Sequence, residues 1–178
     1  QQFNLLGSHD TARILHLVSG NPALNRLAVA LLFAYVGVPC VYYGDEIGMS
    51  ADNSLGARNP MLWESDKWDS DLRQFYQKLI RLRRISPALI NGGFQVLSAD
   101  ENTFAFLRDS DEEQFLVIAN RGPNDYPARG LSVREGAIQD GSEFREIFSA
   151  QTLRVQGGHL SMPVLPAGVQ IWQSVPSL

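Results

Sequence analysis

The sequence has a single cysteine, Cys40, in 178 residues. An intramolecular disulfide and a cysteine metal cluster are therefore both excluded. Positive charge is also short. Fifteen Lys and Arg against 19 Asp and Glu leave a net charge of −4, which offers nucleic acid no basic footprint. Apolar runs fall well short of a membrane span; the longest candidate, 27–41, is interrupted by Gly37 and Pro39. Low-complexity tracts, internal repeats and a phosphate-binding loop are missing. Gly7-Ser8-His9-Asp10 does not make the Gly-x-Ser-x-Gly elbow of a serine hydrolase. The first residue is Gln1 rather than Met. We read that as a start lost to processing or truncation, so a missing leader carries no information. What is present is ample apolar material: 44% hydrophobic residues suffice for one large or two small domains.

The chain opens on a short apolar run, Phe3, Leu5 and Leu6, broken by Gly7 and Ser8 and followed by His9 and Asp10. Asn21 reads as an N-cap and Pro22 as a first helical residue. Leu24, Leu27, Ala28, Leu31, Leu32 and Tyr35 then recur at helical spacing, and Gly37 is expected to stop the helix. Residues 38–43 form a continuous apolar run, as in a buried parallel strand, tipped by Gly44, Asp45 and Glu46. These are two strand–tip–helix units, each with acidic residues on the loop after the strand. In parallel α/β folds that side carries the active site. A long polar loop, 48–69, contains Arg58 and Trp63; loops of this length are usually functional or disordered. The next helix is capped by Asp69, Ser70 or Asp71 and presents Leu72, Phe75, Tyr76, Leu79 and Leu82. Arg81, Arg83 and Arg84 in its last turn complement the helix dipole, and Ser86-Pro87 ends it.

Beyond Asn91-Gly92-Gly93 the helical period disappears. Eight short alternating segments follow, at 94–97, 103–107, 115–119, 131–133, 144–148, 153–155, 160–164 and 169–172, separated by Asp, Asn, Gly and Pro. That spacing predicts an antiparallel β-sandwich or barrel. The expected boundary lies near residue 92, giving an α/β part at 1–92 and an all-β part at 93–178. Cys40 is read as a small buried strand residue. Trp68, Trp172 and the Phe residues of the β half are read as core.

Asn4-Leu5-Leu6-Gly7-Ser8-His9-Asp10-Thr11-Ala12-Arg13 resembles the fourth conserved region of the α-amylase family, glycoside hydrolase family thirteen. The flavour is that of the neopullulanase, cyclomaltodextrinase and maltogenic amylase group. The resemblance continues through Gly37-Val38-Pro39-Cys40-Val41-Tyr42-Tyr43-Gly44-Asp45-Glu46-Ile47-Gly48-Met49 and Arg58-Asn59-Pro60-Met61-Leu62-Trp63-Glu64. It implies the C-terminal fragment of a (β/α)8 barrel, strand seven to helix eight, followed by an antiparallel β-sandwich domain. In that family the nucleophilic Asp and the acid/base Glu follow strands four and five, upstream of the motif that opens this chain.

The resemblance makes Asp10 the catalytic candidate. It would be the third carboxylate, holding sugar hydroxyls while the ring gains positive charge; taken alone, it reads as a turn cap. His9 is expected to hydrogen-bond the sugar beside the scissile bond. Arg13 is placed with the substrate-binding group, orienting Asp10 through a charge-assisted bond; its other reading is a surface arginine where the helix starts. Arg58 and Trp63 are sugar-contact candidates, Trp63 having a second reading as a pin that holds the loop to the barrel. Asp45 and Glu46 are expected to support the loop network rather than act on substrate. Where relatives often carry Asp-Pro ahead of this Arg, Ser54-Leu55 stands here.

The implied parent is a retaining α-glucan hydrolase or transglycosylase acting on α-1,4 bonds of maltooligosaccharides, cyclodextrins or starch, with α-1,6 bonds left open. The alternative is a non-catalytic carbohydrate-binding or structural β-sandwich module. An unrelated small α/β enzyme is the weakest reading, because two strand–helix units cannot close a barrel. The expected partner is an α-glucan, with no nucleic acid and no membrane. The chain alone is expected to be inactive and to self-associate. The residues identify no cofactor or metal, and the resemblance leaves room for calcium in a full-length parent. Cellular location is left open, with the cytoplasm as the default.

Overall fold

The computed structural model describes residues 2–123, 130–133 and 138–176. Two compact units divide the chain, one at Gln1–Arg84 and the other at Ile85–Leu178.

In the first unit, β1 (Phe3–Leu5) pairs in parallel with β2 (Val38–Cys40), Phe3 opposite Val38 and Leu5 opposite Cys40. The crossover between them carries α1 (Ile14–Leu17) and α2 (Pro22–Ala34), as a parallel connection requires. Asn21 caps α2: its Oδ1 accepts from the amides of Ala23 at 3.0 Å and Leu24 at 3.2 Å, with Pro22 at the first turn. The buried face is not the expected one: of Leu24, Leu27, Ala28, Leu31, Leu32 and Tyr35 only Leu32 is buried, and the helix turns Asn25, Val29, Ala30, Phe33 and Ala34 inward with it. The helix ends at Ala34, ahead of the expected stop at Gly37. Gly37 has a different task. Its φ is +113°, and a Cβ there would lie 2.8 Å from Asn4 Oδ1 and 2.9 Å from the Gln2 carbonyl. Only glycine allows this close approach, which brings the amide of Val38 to the carbonyl of Gln2 at 2.8 Å and starts the β1–β2 pairing.

The loop expected over 48–69 is partly ordered by α3 (Ser54–Ala57) and a 3-10 turn at Ser65–Lys67. Asp69 caps α4 (Ser70–Ile85), its Oδ1 accepting from the Leu72 amide at 2.8 Å. Leu72, Tyr76, Leu79 and Arg83 form the buried face of α4. Arg83 corrects the expectation that it serves its own helix dipole. It turns inward and donates Nη1 to the carbonyls of Phe33 at 2.8 Å and Tyr35 at 3.0 Å, and Nη2 to that of Gly37. It thus satisfies carbonyls at the end of α2, which a helix cannot satisfy internally.

The second unit starts with α5 (Pro87–Asn91), a helix the sequence pattern did not predict. Ser86 caps it, and it lies against the sheet that follows. That sheet has six antiparallel strands in the order β3 (Gly93–Ala99), β4 (Thr103–Asp109), β5 (Gln114–Asn120), β10 (Gly168–Ser174), β7 (Glu143–Glu146) and β8 (Thr152–Arg154). A two-stranded sheet, β6 (Gly130–Ser132) with β9 (His159–Ser161), supplies the second layer. All eight expected segments carry a strand. The alternation sends Ala105, Leu107, Leu116, Ile118, Phe144 and Trp172 to one face, where Leu131, Val133, Leu160 and Met162 cover them. The result is an uneven sandwich whose larger sheet is three times as wide as its cover. Trp172 is fully buried at its centre. Trp172→Ala should cost about 3–5 kcal/mol of stability in this unit, measured by urea denaturation; a loss below 1 kcal/mol would show that the site collapses around the change.

Candidate active site

The tips of β1 and β2 stand side by side at the carboxyl ends of two parallel strands. Beneath them lies one buried ion pair. Arg13 is fully buried and donates Nη1 to Asp45 Oδ1 at 2.8 Å. The same Nη1 reaches the Tyr43 carbonyl at 2.7 Å, and Nη2 reaches the Ala57 carbonyl at 3.0 Å. Its guanidinium lies 4.8 Å from the centre of the Tyr42 ring and 5.0 Å from that of Tyr43. One side chain thus ties together the loop after β1, the loop after β2 and α3. Burial pushes the Asp45 carboxyl up to about 6, against the opposing pull of Arg13. Gly7 passes directly over it; a Cβ there would lie 3.1 Å from Asp45 Oδ2.

The α3 segment is fixed from several sides. The Ala57 carbonyl also accepts from the Tyr42 hydroxyl at 3.0 Å, and the Asn59 carbonyl accepts from the Tyr43 hydroxyl at 2.7 Å. Asn53 caps α3 through the Gly56 amide at 2.9 Å. The Arg13 amide donates to the Ala51 carbonyl at 3.0 Å.

On this mount sits an exposed polar cluster. The turn at 8–11 is closed by Ser8 and Thr11, with the Ser8 amide donating to Thr11 Oγ1 at 3.1 Å and the Asp10 amide to Ser8 Oγ at 3.2 Å. Asp10 Oδ2 lies 3.0 Å from His9 Nε2. Its Oδ1 accepts from Arg58 Nη2 at 2.8 Å, while Arg58 Nε donates to the His9 carbonyl at 3.0 Å. The side chains of His9 and Asp10 are each 64% exposed, and that of Arg58 52%. A carboxylate oriented by a guanidinium and an imidazole, open to solvent at the strand ends, is suited to gripping a polyhydroxylated ligand.

The family model described as alpha amylase, catalytic domain, matches residues 1–81. A cyclomaltodextrinase from Bacillus sp. is 44% identical over 132 residues, 73% of this chain and 24% of that protein. Neopullulanase 2 from Thermoactinomyces vulgaris is 36% identical over 174 residues, 96% of this chain and 29% of that protein. A solved cyclomaltodextrinase structure superposes with a TM-score of 0.83 at 36% identity, over 97% of this chain and 29% of its own. The chain belongs to the α-amylase family of glycoside hydrolases. It spans less than a third of the length of these relatives, as a fragment of the family's barrel followed by its β domain.

Within this α-amylase fragment the predicted residues separate into two layers. His9, Asp10 and Arg58 meet on the exposed rim. Arg13 does not join them. It points inward, its fork hydrogen-bonded to Asp45 and to the Tyr43 and Ala57 carbonyls, so Asp10 is not its partner. Asp45 lies beneath the rim as the partner of Arg13. Glu46 Oε2 is buried with no hydrogen-bond partner among the described residues. Trp63 is 77% exposed, and the loop is held instead by Trp68, whose Nε1 donates to the Leu62 carbonyl at 2.8 Å under the Arg73 guanidinium. Cys40, expected buried, is exposed; it stands in a strand pair with no further strand partner among the described residues. Sequence reasoning missed the hydroxyls of Tyr42 and Tyr43, since both residues had been absorbed into the apolar strand. No three His, Cys, Asp or Glu side chains gather to hold a metal ion among the described residues.

Arg13→Met should destabilise the first unit by about 3–5 kcal/mol, because it strands Asp45 as a buried unpaired charge. Arg13→Lys should recover little, since one ammonium cannot reproduce the fork. Urea denaturation of both variants checks this; a loss under 1 kcal/mol for Arg13→Met would mean that the loops are held by other contacts.

Proposed function

We propose that this chain is the C-terminal part of a retaining α-glucan hydrolase or transglycosylase, running from strand seven to helix eight of the barrel and through the β domain. Asp10 is the carboxylate that stabilises the transition state. The observation that carries this reading is the placement of Asp10: a solvent-open carboxylate at the strand ends, gripped by Arg58 and His9 above a buried ion pair. In retaining glycosidases two other carboxyl groups do the covalent and proton-transfer work. A third carboxylate accepts hydrogen bonds from sugar hydroxyls, and these tighten as the ring gains positive charge. His9 hydrogen-bonds the neighbouring sugar hydroxyl through its imidazole. The exposed Trp63 ring offers a flat apolar face to a sugar. Asp45 and Glu46 support the loops beneath. The nucleophile and the acid/base come from the remainder of the parent protein, and the substrate is an α-glucan such as a maltooligosaccharide or cyclodextrin.

A group that binds the transition state better than the ground state acts on rate. Asp10→Asn in the full-length parent should therefore lower kcat by roughly 10²–10³-fold, about 3–4 kcal/mol by analogy with removing one oxyanion-stabilising donor, with a much smaller change in KM. Near-normal kcat with raised KM would make Asp10 a binding residue only.

The 178-residue chain by itself should not turn over maltotriose or a cyclodextrin, because one carboxylate cannot be nucleophile, proton donor and charge stabiliser together. It should also self-associate. Phe3 and Leu5 are exposed on β1, and unpaired strand edges template pairing with other chains. Turnover that Asp10→Asn abolishes would sink the first expectation, and a strictly monomeric particle in analytical ultracentrifugation the second.

A further inference from the structure

We propose that Arg58 is a positioning residue for Asp10, not a sugar ligand. The inference rests on the catalytic reading of Asp10 given above and extends it to a residue on a different loop.

Three observations carry it. First, the guanidinium is engaged at two points: Nη2 on Asp10 Oδ1 at 2.8 Å and Nε on the His9 carbonyl at 3.0 Å. It holds both the carboxylate and the backbone that carries it, so the side chain of Asp10 is fixed relative to its own peptide. Second, the backbone on each side of Arg58 is clamped. The Ala57 carbonyl accepts from Arg13 Nη2 and the Tyr42 hydroxyl, and the Asn59 carbonyl accepts from the Tyr43 hydroxyl. An arginine mounted between two pinned residues presents its fork from a fixed origin. Third, the Asp10–Arg58 pair is more than half exposed on both sides, and such pairs contribute little to stability. A rigid mount under a bond of little structural worth points to orientation as its use. Asp10 Oδ1 is taken by Arg58, and Oδ2 lies 3.0 Å from His9 Nε2.

Orientation of this kind acts on rate, since a misplaced catalytic group loses the transition state more than the ground state. In the full-length parent, Arg58→Ala should lower kcat roughly 10–100-fold and leave KM within about twofold. Arg58→Lys should recover part of that loss, because an ammonium can reach Asp10 but cannot also hold the His9 carbonyl in the same fork. In the Asp10→Asn background, Arg58→Ala should add no further loss, as for two residues acting as one unit. Thermal unfolding of each variant separates a local effect from misfolding. If Arg58→Ala raises KM with kcat unchanged, Arg58 is a sugar ligand and the proposal fails. Losses that add in the double variant would also overturn it, by showing that Arg58 acts independently of Asp10. A normal kcat in Asp10→Asn alone would instead bring down the catalytic reading of Asp10, and the positioning role with it.

Discussion

The buried pair between Arg13 and Asp45 sets the geometry of the barrel fragment. Removing two charges from water is costly, and a single 2.8 Å contact does not by itself offset that cost. The site offsets it with further acceptors: the carbonyls of Tyr43 and Ala57, and the faces of two tyrosine rings. These partners come from two segments, the loop after β2 and α3, so the pair forms only when both have met the loop that carries Arg13. Its function in the structure is specificity of arrangement more than net stability. Gly7 belongs to the same constraint, since a side chain there would press on Asp45.

Above that pair the physics changes sign. His9, Asp10 and Arg58 are open to water, where an ion pair is screened and worth little to the fold. The two layers therefore divide the labour. The buried layer fixes backbone positions, and the exposed layer keeps its polar groups in solvent without having to hold the protein together. A rim cluster of this sort can be altered with little cost to folding, while the arginine beneath it cannot.

The same economy recurs at the end of α2. Arg83 reaches from α4 to the carbonyls of Phe33 and Tyr35 at the end of α2 and of Gly37 just before β2, and so joins two helices by hydrogen bonds instead of by apolar contact alone. The β unit works differently. Its strands are registered by alternation, and its centre is apolar, with Trp172 and Phe144 enclosed by residues of the smaller sheet.

Much of this was legible in the residues. Period and punctuation located α2, α4 and all eight antiparallel strands, because those signals depend on neighbours within a few positions. Asn21-Pro22 marked a helix start for the same local reason. The motif around Asp10 placed His9 and Asp10 together, since they are adjacent in the chain. What the sequence could not decide is which of two arginines would face the catalytic candidate. Arg13 is three residues from Asp10 and Arg58 is 48 away, yet Arg58 is its partner. Arg13 was drawn inward by Asp45 and by carbonyls that only folding brings to it. Likewise Trp63 and Trp68 look alike in sequence, and only packing distinguished the exposed ring from the one that pins its loop. Local order follows from spacing along the chain; the partner of a charge is chosen by desolvation, which exists only once the chain has closed around it.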